Sequence, residues 1–181
     1  MAKLGFIRVL IVFLLLTASC RKLEEYPIVP EITFEGFVLL QNQETGAVDK
    51  GLLRIGYRDG NGDIGLDQGD TTFPFQQSGD YYYNLIIRYF EQQNGEFVEL
   101  PLISWNELQQ RYDTATFSAR IPPLIPKDET KAIKGIIEDE LFINNPLSDF
   151  DTIMFKVQLI DRALNKSNEV SSPPIIRPGL W

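Results

Sequence analysis

Histidine is absent from the 181 residues, and cysteine occurs once, at Cys20. The first absence removes the commonest general base and the commonest metal ligand, so a serine triad and an imidazole metal site are both excluded. The second excludes an internal disulfide and a thiolate zinc cluster. Basic residues are also in deficit: 17 Lys and Arg stand against 25 Asp and Glu, a formal net charge of −8. No Lys/Arg cluster offsets that balance, which argues against a nucleic-acid partner. There is no G-x-S-x-G elbow, no Walker loop and no dinucleotide fingerprint following a strand.

What is present is an ordinary globular composition, 44% hydrophobic and 23% charged, in a chain long enough for one domain with a core. The N-terminus, "MAKLGFIRVLIVFLLLTASC", has the three parts of a secretory leader: Lys3 and Arg8, an uncharged apolar run Val9–Leu16, then small residues. The run is shorter than the ~20 apolar residues of a spanning helix. Removing residues 1–19 takes away Lys3 and Arg8, and −8 becomes −10.

The segment "LLTASC" resembles a bacterial lipobox, with Thr17 where leucine is usual and Leu16 one place further back. The resemblance implies cleavage before Cys20, a diacylglyceryl thioether on its sulfur and acylation of the new amine. Several acyl chains, at ~0.8 kcal/mol per buried CH₂, suffice for stable anchoring. The following "RKLEEYPIVPE" has no aspartate directly after the cysteine. It is similar to the short acidic tethers of surface lipoproteins of Bacteroidota type, and it reads equally as a plain solvated linker. Pro27 and Pro30 make residues 20–30 an extended spacer. The expected location is the outer membrane, through the lipid.

From residue 31 to 178 the pattern has period two. Ile32, Phe34 and Val38 share one face of "EITFEGFVLL", and Leu53, Ile55 and Tyr57 share one in "GLLRIGYRD", opposite Arg54 and Arg58. Asn94-Gly95 predicts a two-residue hairpin turn, which pairs Tyr89 with Leu100, Phe90 with Glu99 and Ile87 with Leu102. "NELQQRYD" reads as a helical turn or loop, "ATFSARIPP" as a strand, "KAIKGIIEDELF" as a strand with helical alternatives. "DTIMFKVQLID" places Ile153, Phe155, Val157 and Leu159 inward, and "NEVSSPPIIRP" is a last strand whose prolines belong at an edge. About seven strands and no repeated helices predict a single all-β, immunoglobulin-like antiparallel sandwich. "VQLIDRALNKSNEV" resembles the last hairpin of fibronectin-III-like bacterial modules, and "DGNGDIGL" resembles a recurring segment of small envelope lipoproteins. The latter resemblance implies no activity.

Three sites are weighed. Glu138, Asp139 and Glu140 in "IEDELF" offer carboxylates for glycosidase chemistry, Glu138 and Glu140 on one strand face; a solvated charged edge is the alternative. Tyr81–Tyr83, Trp105, Phe73 and Phe75 offer a sugar-stacking platform if exposed and coplanar, or ordinary sheet packing. In "DGNGDIGLDQGD", Asp59, Asn61, Asp63, the Gly65 carbonyl, Asp67 and Asp70 stand at positions one, three, five, seven, nine and twelve of an EF-type calcium loop. Ile64 occupies the glycine position, Asp70 is shorter than the usual glutamate, and no helices flank it. The loop is therefore expected to be first a strand connection and at most a weak calcium site, with Kd on the order of 10⁻⁴–10⁻³ M. The role expected of the chain is non-catalytic: a lipid-anchored binding or assembly module, with an envelope protein or a glycan as partner. A glycan-binding accessory role and a carboxylate hydrolase are the rivals.

Overall fold

The computed structural model describes residues 25–145 and 147–177, so the leader and Cys20 lie outside the described residues. Every regular element within them is a strand: β1 (Glu31–Gln41), β2 (Val48–Asp59), β3 (Leu85–Gln93), β4 (Glu96–Leu100), β5 (Leu102–Asn106), β6 (Arg111–Ala115), β7 (Ile133–Phe142), β8 (Thr152–Leu159), β9 (Val170–Ser171) and β10 (Ile175–Ile176). All pairings between them are antiparallel. One sheet runs β1-β2-β7, a second β10-β8-β3-β4 with β9 also on β8, and β5-β6 is a separate hairpin. The fold is all-β, an open sandwich.

The alternating residues of β8 make the floor of the core: Ile153, Phe155, Val157 and Leu159 are buried, and Lys156 and Gln158 between them are not. From the facing sheet come Ile32, Leu53, Ile55 and Leu141. Phe155 is fully buried, and its ring meets Phe37 stacked at 5.4 Å, Phe117 edge-on at 5.4 Å and Tyr89 at 5.7 Å. Such aromatic pairs add to the area they bury.

The Asn94-Gly95 hairpin forms in the expected register, Tyr89 with Leu100 and Phe90 with Glu99, with both turn residues at positive φ. Three expectations fail locally. Ile87 does not pair with Leu102, because Pro101 has no amide hydrogen, β4 ends there, and β5 pairs with β6 instead. A register shift between Phe34 and Gly36 inverts the phase of β1, so Phe37 enters the core and Val38 is half exposed. "NELQQRYD", expected as a helical turn or loop, supplies the turn of the β5-β6 hairpin at residues 107–110, with its two ends in the strands. Finally, "ATFSARIPP" is no strand: Ala119 makes one bridge, to Leu85.

The final segment splits into β9 and β10 at Ser172-Pro173-Pro174. Where the ladder lapses, serine hydroxyls stand in: the Phe155 amide donates to Ser172 Oγ at 3.0 Å and the Leu159 amide to Ser167 Oγ at 2.9 Å. Two asparagines act as portable peptide groups. Asn168 exchanges 2.9 Å bonds with both the Ile32 amide and carbonyl, tying β1 to the opposite sheet. Asn84 does the same for Ile121.

Phe155→Ala removes the ring on which both sheets converge. Its expected cost is about 3–5 kcal/mol, read as a lower urea midpoint with an unchanged slope.

Candidate functional site

The acidic stretch is not a tight strand connection. Asp59 is the last residue of β2, opposite Ile133 of β7, and residues 60–84 then travel to β3 without regular structure. Their path is pinned from several directions. Ile64 and Leu66 are core residues, which is why isoleucine stands where an EF-type loop needs glycine. The Leu66 amide donates to Ile121 O at 2.8 Å, the Leu124 amide to Ile64 O and the Lys131 amide to Asn61 O, both at 3.2 Å, and the Arg162 amide to Asp63 O at 3.1 Å. Gly65, at φ +115°, lies against Pro122 and Pro123 so closely that a side chain would strike their backbone. At the near end the Gly60 amide donates to Pro27 O at 2.7 Å, so the segment arriving from the N-terminus docks beside Asp59.

The six expected ligands do not converge; they divide into two groups. Asp70 lies against Arg162, which donates from Nη1 at 2.6 Å and Nη2 at 3.3 Å, and against Lys127 at 3.1 Å. The Arg162 guanidinium holds the Asp70 carboxyl well below the usual carboxylate range. Asp67 pairs with Lys127. The Gly65 carbonyl accepts from Arg162 Nη1 at 3.3 Å. This half is neutral: two carboxylates and two cations. It corrects the EF-type reading for Gly65, Asp67 and Asp70, because Arg162 and Lys127 arrive from distant segments that no local spacing rule includes.

The other half has no cation bonded to it. Asp59 is 0% exposed, and neither of its carboxylate oxygens has a hydrogen-bond partner. Asn61 Oδ1 and Asp63 Oδ1 are likewise buried and unpartnered, so these three residues hold four of the six such side-chain atoms among the described residues. Burial pushes the Asp59 carboxyl up to about 6, and the charges of Asp63 and Asp161 push it the same way, against the backbone amides of Gly62 and Asp63, which approach the carboxylate without reaching full hydrogen-bond geometry. Asp63 is raised by burial and then by Asp161, against a bond from the Ala163 amide. Asp161, itself buried just beyond β8, is the member of the group that sequence spacing missed. Its oxygens accept from the Asn165 amide and Nδ2, both at 2.8 Å. Among the described residues no three His, Cys, Asp or Glu side chains close into a ready-made metal cluster; both oxygens of Asp59, one of Asp63 and the amide oxygen of Asn61 are unpartnered here, within the field of the Asp161 carboxylate.

The other candidates take bland positions. Glu138 and Glu140 share the outer face of β7, as alternation requires, but Arg54 engages the first at 2.8 Å and Lys50 the second at 3.5 Å across the strand pair. Asp139 lies on the opposite face, paired with Leu53. The aromatics are scattered: Tyr82 meets Tyr83 at 76° and Trp105 meets Tyr112 at 67°, edge-to-face contacts rather than a coplanar surface. Phe73 stands alone and exposed.

The Asp70–Arg162 pair makes a pH prediction. A carboxyl depressed in the folded state adds stability at pH above its unfolded value near 3.9, and that stability fades as pH falls toward the folded value. Asp70→Asn should cost roughly 2 kcal/mol at pH 7. The gap between variant and wild type should narrow in urea titrations below about pH 4.

No protein-family model matches the chain, and no curated protein or solved structure is significantly similar to it.

Proposed function

We propose that the protein is a lipid-anchored lipoprotein of the bacterial outer membrane whose immunoglobulin-like sandwich is a non-catalytic binding or assembly module. The observation that carries this reading is the lipobox-like "LLTASC" set eleven residues before β1, at Glu31. The chain between them supports it: Tyr26 to Pro30 is irregular, runs directly into β1, and fastens to the domain through Pro27 O and the Gly60 amide. A lipid on Cys20 would thus be joined to the sandwich by a short strap.

The binding role rests on the outer face of β1-β2-β7. Val38, Ile136 and Phe142 are each about half exposed there. They alternate with the Arg54–Glu138 and Lys50–Glu140 ion pairs. Apolar contact points set among charges suit a reversible envelope partner. Both glutamates being held in ion pairs favours this over carboxylate hydrolysis, and the edge-to-face aromatics favour a protein partner over a stacked sugar.

Cys20→Ser is expected to leave the protein in the soluble fraction after membranes are washed at high salt, while the wild type sediments. Sedimentation of the variant with membranes would refute the anchor. A photo-crosslinking residue at Ile136 should capture an envelope protein in intact cells, and one at the exposed Leu108 of the β5-β6 tip should not.

A further inference from the structure

We infer that Asp59, Asn61 and Asp63, with Asp161 facing them from the end of β8, form a binding site for a hard divalent cation, and that the cation is calcium.

The geometry poses a charge problem that the protein's own groups do not solve. Three carboxylates lie together, two of them buried residues, and one has both oxygens unpartnered. Leaving a buried charged group unsatisfied is among the costlier things a fold can do. Two cations pass close by, and both are committed elsewhere: Arg162 and Lys127 to Asp70. Lys131, on the segment that leads into β7, places its ammonium on Glu129 at 2.7 Å. The backbone that carries the orphan oxygens is held in place, the Asn61 carbonyl accepting from the Lys131 amide and the Asp63 carbonyl from the Arg162 amide. Solvation by water alone would leave three negative charges together. A divalent cation answers both the missing partners and the charge.

The donors select the ion. All are oxygen, and carboxylate or amide oxygen at that, which suits calcium and magnesium and disfavours softer metals. Each carboxylate oxygen carries two lone pairs, so Asp161 keeps acceptor capacity beside its Asn165 bonds. Magnesium sheds its water reluctantly and demands near-ideal octahedral geometry, whereas calcium accepts a mixed and irregular oxygen shell. Asp59 lies at full burial in a pinned loop, where the ion must lose most of its water, and this favours calcium.

The site differs from the EF-type arrangement in a way that can be read experimentally. Asp67 and Asp70, ligands in that arrangement, belong here to the neutral half. Asp161, absent from it, belongs to the ion.

The test uses full-length protein purified from membranes in non-ionic detergent, followed by thermal unfolding in chelator, in calcium and in magnesium. At calcium on the order of 5 mM, above the range typical of extracellular calcium modules, Tm should rise by about 3 °C or more over chelator. Asp59→Asn/Asp63→Asn should abolish that rise. In chelator the double variant should unfold no lower than wild type, because it removes buried repulsion; this separates a cation site from a merely structural pair. Asp161→Asn should weaken the calcium response. Asp67→Asn should keep it, as should Asp70→Asn despite its lower Tm in chelator. An unchanged wild-type Tm in calcium overturns the inference. So does a calcium response that survives Asp59→Asn/Asp63→Asn or is lost in Asp67→Asn. A magnesium response equal to that of calcium overturns the choice of ion. Membrane release of Cys20→Ser is read independently of all these outcomes.

Discussion

Both sheets are seated on the ring of Phe155. Phe37 reaches it from β1, Tyr89 from β3, and Phe117 from the irregular segment after β6. These contacts fix how β2 of one sheet lies relative to β8 of the other, since β2 is the centre of the first and β8 pairs with β3, β9 and β10 in the second. Fixing the strands fixes their ends. Asp59 terminates β2 and Asp161 follows β8 by two residues, so carboxylates a hundred residues apart in the chain come within each other's field. The acidic group is a consequence of sheet packing as much as of the loop that supplies three of its members.

The interior tolerates polar groups when they are answered. Glu91 is as buried as Asp59, yet it accepts from Tyr89 Oη, Asn145 Nδ2 and Ser148 Oγ, and Arg177 Nη2 lies 3.9 Å away. Burial and the bond to Glu91 keep the Tyr89 phenol protonated well beyond its ordinary range. Arg177 in turn donates to the carbonyl of Ile143, so the network also ties down the segment after β10. Around Glu91 the network is satisfied, though Arg177 Nε is left without a partner, and it specifies one arrangement, since removing a member would strand a buried charge. Against this background the unpartnered oxygens of Asp59, Asn61 and Asp63 stand out: the same fold that gives Glu91 three side-chain donors and a nearby guanidinium gives Asp59 only the approach of the Gly62 and Asp63 amides.

Period-two alternation made β2 and β8 legible in the sequence, because each presents an apolar face, and Asn94-Gly95 set a register for β3 and β4 that the ladder keeps, while β7, with Gly135 and Asp139 on its inner face, left a helical alternative open. The misses share a physical character. An extra residue near Glu35 inverts the phase of β1 without altering its composition, and alternation alone does not reveal a bulge. Pro101 breaks the β4 ladder at a point where the hydrophobic pattern continues unbroken. In "ATFSARIPP" the alternation is real, and Phe117 and Ile121 do face the core, but only Ala119 finds a strand neighbour. The site was half legible: the local spacing put Asp59, Asn61 and Asp63 together correctly. Asp161, Arg162 and Lys127 come from outside the loop, and their arrival depends on tertiary packing that no spacing rule contains.

One dipeptide, Asp161-Arg162, divides the loop. Successive side chains beyond the end of β8 act differently: the carboxylate of the first, bonded to Asn165, lies within the field of Asp59 and Asp63, while the guanidinium of the second reaches Asp70 and the Gly65 carbonyl. The result is opposite electrostatics within a dozen residues, with the carboxyls of Asp59 and Asp63 pushed up and that of Asp70 held down. The Arg162 half works as a lock near neutral pH, since an ion-paired carboxylate with charge-assisted bonds holds Asp70 in place. With that half fixed, the loop cannot relieve the anionic half by swinging open, and the strain stays local to Asp59. Beside it Gly60 holds the strap at Pro27, where a side chain at residue 60 would strike the strap's backbone. The unpartnered carboxylate of Asp59 therefore sits next to the point where residues 26–30 join the domain, one residue from the Gly60 amide that holds Pro27.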